Sequence, residues 1–452
     1  MNVRAPIQTV FLLLFCATFT LTHERAEAQT RHSFFAEVNN GDLHYRWTDG
    51  DDLLEVRIEG DVAFTEDDAA VDRISRGGYL KIEEKKGGTK RTLEVRPASD
   101  GTLRYTYKVD GRQRAYDATT RDEVADLILT IIRNTGIDAD RRVARILERE
   151  GVDGVFEEID HIESSFARRR YFTALLEQGK LNTAQLQRLA REVSRQIDSS
   201  GDRARFLREA APYYLENSQV YAAYFDAINT IASSGDHART LIHILAEHDP
   251  DREAFFRLLR SARRLESSGD KARTLIKATA HYENDPEIRK AFFEAVDTIP
   301  SSGDHTRVLK ALLENADLDQ TSVTALFQSV RGIKSSGDKA RLLVAAAPHF
   351  INDAAQRVAF FETVDTIASS GDHARVLLAL LHENQLDKAS LGAVLESAKA
   401  ISSSGDKTRV LVEAAGLVAS DDDLVAAYLD AAETISSSGD RSRALSALIR
   451  QN

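Results

Sequence analysis

Ser-Ser-Gly-Asp recurs eight times in strict register, with its glycine at Gly201, Gly235, Gly269, Gly303, Gly337, Gly371, Gly405 and Gly439, a constant step of 34 residues. A fixed step of this length repeats one structural unit, and each unit can bury its apolar face only against its neighbours. Leucine returns in the same step at Leu207, Leu241, Leu275, Leu309, Leu343, Leu377, Leu411 and Leu445. A second apolar column runs from Phe225 to Leu429, and a third from Ile231 to Ile435. Two helices per unit fit these columns, one opening at Ser-Ser-Gly-Asp and one closing at the isoleucine. The expected fold is therefore mainly α: a right-handed α-solenoid of 34-residue hairpins over residues 199–452, seven full and a half.

Upstream the pattern changes twice. Between His32 and Tyr116 apolar and polar residues alternate, as in Leu43, Tyr45 and Trp47, Leu54, Val56 and Ile58, and Leu103, Tyr105, Tyr107 and Val109. Gly50, Gly87-Gly88, Gly101 and Gly111 punctuate these runs, so residues 29–118 are expected to form a small antiparallel β-meander whose apolar face needs a cover. From Thr119 helical spacing takes over with Val124, Leu127, Ile128, Ile131 and Ile132, and Ile162-Glu163-Ser164-Ser165 echoes the later motif slightly out of step. Residues 119–198 are expected to be an irregular helical cap on the array. Residues 1–28 have the pattern of a cleaved secretory signal: Arg4, an apolar run from Val10 to Leu21, and Ala26-Glu27-Ala28. The run is too short to span a bilayer, so the expectation is an exported chain, periplasmic or extracellular, with no stable membrane span after cleavage. Cys16 and Met1, the one cysteine and the one methionine, both lie in this leader. Thiol chemistry and disulfides are thereby excluded from the mature chain.

Serine and aspartate three apart, as in Ser233 and Asp236 or Ser301 and Asp304, have the spacing of a capping box, in which each satisfies the other's backbone amide. The alternative has Gly235 ending the previous helix in a left-handed conformation, with Asp236 as the cap. Where the second helix begins at Asp249-Pro250 or Asp285-Pro286, the aspartate is placed to cap and the proline to fill the first turn. An arginine follows each motif aspartate by three residues, predicting a solvated ion-pair ladder. The residue after each aspartate alternates: His237, His305 and His373 against Lys271, Lys339 and Lys407, with Arg203 and Arg441 at the ends. The true building block is thus 68 residues. Helical geometry sets this column at the edge of the buried face, and a cation in a first turn opposes the helix dipole. An ion pair to the neighbouring hairpin accounts for it economically; periodic contact with a bound acidic chain is the sharper reading, and these six are the candidate partner-binding residues.

Other chemistries lack a signature. The net charge of -12 argues against nucleic acid and anionic lipid. There is no Gly-rich phosphate loop, His-Glu-x-x-His or Gly-x-Ser-x-Gly, and histidines two hairpins apart cannot share a metal ion. His243, His248, Asp249 and Asp251 lie closer together but straddle a helix end. No catalytic residue, metal or cofactor is assigned. The expected function is non-catalytic presentation of a superhelical face to a protein or extended peptide. One rival is a glycan- or cell-wall-binding module using Tyr213, Tyr214 and Tyr221; another is an enzyme with its site in residues 32–116.

The stretches Gly77 to Val95 and Ile401-Ser-Ser-Ser-Gly-Asp-Lys-Thr-Arg-Val-Leu411 resemble bacterial extracytoplasmic helical-repeat regions with units of the type Ile-x-Ser-Asp-Tyr-Glu-Lys-Ala-x-Val-Leu. Such regions are sometimes attached to membrane metallopeptidases similar to the beta-lactam-sensing antirepressor proteases. The zinc motif of those enzymes is missing here, so the resemblance implies a sensory or scaffolding part without protease activity. The 34-residue step is also that of tetratricopeptide repeats, whose Trp, Gly, Tyr and Pro positions are missing.

Overall fold

The computed structural model describes residues 33–39, 42–350, 353–382 and 386–451. The expected leader, with Cys16 and Met1, lies outside the described residues. These residues form two compact units that divide between Thr130 and Ile131, inside the helix Ala118–Thr135.

The first unit is a sheet. Its strands are β1 Ser33–Asn39, β2 Asp42–Asp49, β3 Asp52–Glu59, β4 Val62–Phe64, β5 Val71–Ile74, β6 Tyr79–Lys86, β7 Thr89–Pro97, β8 Leu103–Val109 and β9 Arg112–Gln113. All neighbours are antiparallel in the order β1-β2-β3-β6-β7-β8-β9, with β4 and β5 as a separate ribbon. The β6–β7 and β8–β9 turns are two-residue reversals in which Gly87 and Gly88, then Asp110 and Gly111, all take positive φ, the conformation that matches the twist of paired strands. Register aligns Val56, Ile82, Leu93 and Tyr107 in one buried row. The next row on the same face brings Glu84 beside Arg91, whose guanidinium donates to Glu84 at 2.5 Å and to Asp126 of the helix at 3.0 Å. That helix buries Val124, Leu127 and Ile128. Its opening turns therefore belong with the sheet, and the boundary falls later than residue 118.

The second unit is helical. After Ala139–Asp160, Ser165–Gln178 and Thr183–Gln196, helices alternate in two sets. The first set opens at the repeated motif: Ser200–Glu209, Ser234–Glu247, Ser268–Ala278, Ser302–Asn315, Ser336–Phe350, Ser370–Leu381, Ser404–Val418 and Ser438–Ile449. The second set is Tyr221–Ile228, Arg252–Arg263, Pro286–Val296, Gln320–Gly332, Ala354–Val364, Lys388–Lys399 and Asp422–Glu433. Each first-set helix packs on the next of its set, and each second-set helix likewise. The leucine column from Leu207 to Leu411 and the isoleucine column from Ile231 to Ile435 are buried throughout. Asp285 caps Glu287 and Ile288 with Pro286 in the first turn, as expected. Asp249-Pro250 does not do so: the helix starts at Arg252, and Asp251 is the cap, accepting from Ala254 N at 2.8 Å. Asp251 sits three residues before the amide it satisfies, the spacing a cap requires.

Candidate functional site

Ser-Ser-Gly-Asp is built for stacking. The first serine is the N-cap: Ser233 accepts from Asp236 N at 3.3 Å and Ser301 from Asp304 N at 3.2 Å. The second serine reaches the next unit, in most copies accepting from its N-cap amide, as Ser200 does from Ser233 N, Ser234 from Ser267 N and Ser404 from Ser437 N, while Ser268 donates to Asp304. Only half of the expected capping box forms at Ser233 and Asp236. The amide left over is taken by the neighbouring unit, and the aspartate turns to the arginine three residues on. Arg307, Arg341, Arg409 and Arg443 reach their aspartates at 2.8–3.0 Å. Arg205 departs from the ladder, pairing with Glu209, because Asp202 is engaged by Arg169. Gly235 lies inside the helix without positive φ, so the left-handed alternative is not the one adopted. The out-of-step echo behaves as a repeat: Ser164 caps its helix, and Ser165 accepts from Ser199 N at 3.3 Å.

The alternating column is not presented to a partner. His237, Lys271, His305, Lys339, His373 and Lys407 are all buried, against the expectation of a contact stripe. Each lysine ends on a threonine hydroxyl, with backbone carbonyls added at Lys339 and Lys407, instead of the carboxylate of an ion pair. Lys407 Nζ donates to Thr434 Oγ1 at 2.7 Å, Lys399 O at 3.0 Å and Thr434 O at 3.4 Å; Lys339 meets Thr366 and Arg331 O in the same way. Lys399 and Thr434 end two successive second-set helices, where carbonyls lack intrahelical partners and the dipole is negative. The cation that opposes its own helix thus serves the ends of two others. Arg203, on the carbonyls of Ile197 and Thr230, and Arg441, on that of Ile435, do the same at the flanks.

The histidines run in the other phase. His305 Nε2 lies 2.8 Å from Ser329 Oγ, and that hydroxyl donates to Asp297 Oδ1 at 2.5 Å. His373, Ser397 and Asp365 repeat this, as do His237, Ser261 and Asn229. An ionised carboxylate only accepts, so the hydroxyl proton belongs to the aspartate and the imidazole must donate from Nε2. The serine is consequently not activated by the histidine, the reverse of what a nucleophile-base pair needs. Burial, reinforced by Arg264, pushes His237 down to about 4. Burial also lowers His305 and His373, opposed by Asp297 and Asp365. The three lysines are lowered by burial as well. Partners for the column are legible in the sequence: serine recurs 24 residues after each histidine and threonine 27 after each lysine.

The second-set helices carry ion-pair rungs between units. Arg263 reaches Glu294 and Arg331 reaches Glu362, each at 2.8 Å and 31 residues ahead. Repeat spacing makes Arg195 and Asp226 the same rung. Arg195 turns back instead to Asp160 at 3.1 Å and Glu192 at 2.7 Å, and Asp226 has no ion pair among the described residues. The second-set helix here is short, Tyr221–Ile228, and presents alanines. The result is an open trough of about 560 Å³ with Arg191, Arg195 and Gln187 on one wall, Asp226 on the other, and Ala222 and Ala223 among its lining. Arg191 is exposed, and no ion pair holds it among the described residues. The trough offers a guanidinium, a carboxylate and a carboxamide around small side chains, a set that matches the mixed polarity of a peptide.

The other expected sites are less developed. Tyr214 and Tyr221 are buried, donating to Leu186 O and to Asp251, so only Tyr213 of the three tyrosines is exposed. On the sheet, Glu37, His44, Arg57, Glu59 and Tyr79 line a cavity of about 240 Å³, and His44 is 3.1 Å from Glu55. Asp251, of the His243 cluster, is occupied as a cap. Among the described residues no group of three or more His, Cys, Asp or Glu is placed to hold a metal ion, and no helix is long and apolar enough to cross a membrane. No protein-family model matches the chain, and no curated protein matches it.

Proposed function

We propose that the helical unit is a right-handed α-solenoid of 34-residue hairpins and serves as a non-catalytic scaffold for a protein or peptide partner. The chain is read as exported, on the strength of its leader. The observation that supports binding most directly is the broken rung at Arg195 and Asp226. The rungs Arg263–Glu294 and Arg331–Glu362 join unit to unit, whereas here, as at Lys399 and Asp430, the charges of the same rung are left apart, and here they stand across a trough of about 560 Å³. That volume lies within the range of small-ligand and peptide clefts, roughly 300–1,000 Å³. An extended segment would seat an acidic side chain on Arg191 and a basic one on Asp226, beside Gln187, whose amide donates to Gln219 O at 2.9 Å. Periodic packing supplies the rigid walls such a cleft needs.

Site-specific photocrosslinking in the native compartment tests this, with the photoreactive residue at Ala222 and a control at Glu247. The expected result is a defined adduct from Ala222, competed by peptide fragments of the captured partner and lost in Arg191→Glu. Equal labelling from both positions, or an adduct indifferent to Arg191→Glu, would refute the trough as the binding seat.

A further inference from the structure

We propose that a second cavity, beside the trough, binds the C-terminal carboxylate of a peptide partner through Arg264 and Asn229. The cavity is about 220 Å³, and its lining includes Asn229, Thr230, Ser234, His237, Arg264 and Glu266. Thr230 also lines the trough, so the two adjoin just past the end of the helix Tyr221–Ile228. The inference rests on the reading of the trough as a peptide cleft and assigns the place where the chain lying in it stops.

The repeat departs from its own pattern at this cavity. In the two later copies of the same 68-residue block the histidine–serine pair ends on a carboxylate, Asp297 or Asp365, and the place of Arg264 is held by Gly332 or Ala400. Here the carboxylate gives way to the carboxamide of Asn229 and the small residue to a guanidinium. Stacking requires neither change, since the later copies pack with the other pair. Both changes act in one direction at one place: a negative group is lost and a positive one is gained. Asn229 accepts from Ser261 through Oδ1, and its NH2 group donates to nothing among the described residues. Arg264 is exposed, with no ion pair or hydrogen bond among them. His237 is held down by burial and then by Arg264, so the guanidinium stands near the imidazole that lines the cavity.

The donors match a planar carboxylate: a guanidinium offers a fork of N–H groups, and a carboxamide offers two more. Glu266, the one carboxylate of the lining, limits what charge can enter. It opposes a doubly charged phosphate more than a singly charged carboxylate, and it can accept from the backbone N–H beside a chain terminus. The volume is below the roughly 300 Å³ at which whole-ligand clefts begin, so the cavity suits one end of a segment whose remainder lies outside it.

Titration of the intact chain with acetyl-Ala-Ala bearing a free carboxylate, followed by NMR of isotope-labelled histidine, is the test. The His237 signal, identified by its loss in His237→Gln, should shift and saturate with a Kd in the millimolar range, as expected for so small a probe. Acetyl-Ala-Ala-amide, acetyl-Asp-Ala-amide and inorganic phosphate should each bind at least tenfold more weakly. Arg264→Ala and Asn229→Asp install the side chains that later copies carry at these places, so the fold should be kept while each weakens the probe at least tenfold; Arg260→Ala, on an exposed arginine outside the lining, should bind it as wild type does. No saturable shift, equal binding of the amide, of the side-chain carboxylate or of phosphate, or binding indifferent to Arg264→Ala overturns the proposal. The probe is read without the trough, so its failure beside an Arg191-dependent adduct at Ala222 removes the cavity and keeps the trough.

Discussion

Acidification from pH 7 to 4.5 should destabilise the helical unit through its buried histidines, and His237 is the sharpest case. Its imidazole donates to Ser261, which donates to Asn229, so no carboxylate stands ready to accept a charged ring, and burial with Arg264 nearby holds it down to about 4 from an ordinary 6.5. The unfolded chain then takes up a proton before the folded one does. The stability contributed is complete above pH 6.5 and is lost as pH falls toward 4, with a limiting slope of about 1.4 kcal/mol per pH unit. Integrated over the window, the loss is roughly 3 kcal/mol from this one residue. His305 and His373 shift in the same direction, with Asp297 and Asp365 opposing it. Imidazole NMR titration gives the folded value directly, and urea unfolding at pH 7, 6 and 5 gives the slope. His237→Gln keeps an amide donor for Ser261 but cannot titrate, so its stability should depend less steeply on pH. A His237 resonance titrating near 6.5, or parallel pH curves for the two proteins, would refute the reasoning.

Two further substitutions address the repeat itself. Lys407→Met leaves Thr434 and Lys399 O without their buried donor and should cost about 1–3 kcal/mol, whereas Lys407→Arg should be nearly neutral because Arg203 and Arg441 fill the same role; chemical denaturation separates the two. Gly235→Ala should stabilise by about 0.4–1 kcal/mol, since the position is helical without positive φ and an added Cβ meets nothing within 4 Å; a lower melting temperature would contradict this.

Much of the architecture was written in one dimension. Alternation marked the strands because neighbouring side chains leave a sheet on opposite faces, and the leucine and isoleucine columns marked buried helix faces because the same contact recurs every 34 residues. The site was another matter. Spacing placed His237 and Lys271 at the edge of a buried face, and geometry along a single helix could go no further. Whether that edge meets solvent or a neighbour depends on Ser261 and Thr298, which reach it from another helix. Likewise the second serine at Ser200, Ser234, Ser302, Ser336, Ser370 and Ser404 acquires its role only when the next unit's amide arrives. The trough was hidden for a similar reason: Arg195 and Asp226 have the spacing of a closed rung, and Asp160 draws the arginine away. Local sequence determines which residues cap, turn and face inward, because those choices are decided within a few bonds. Which charges are left unmatched is settled only when separate helices come together, since a partner in space can lie thirty residues away in either direction.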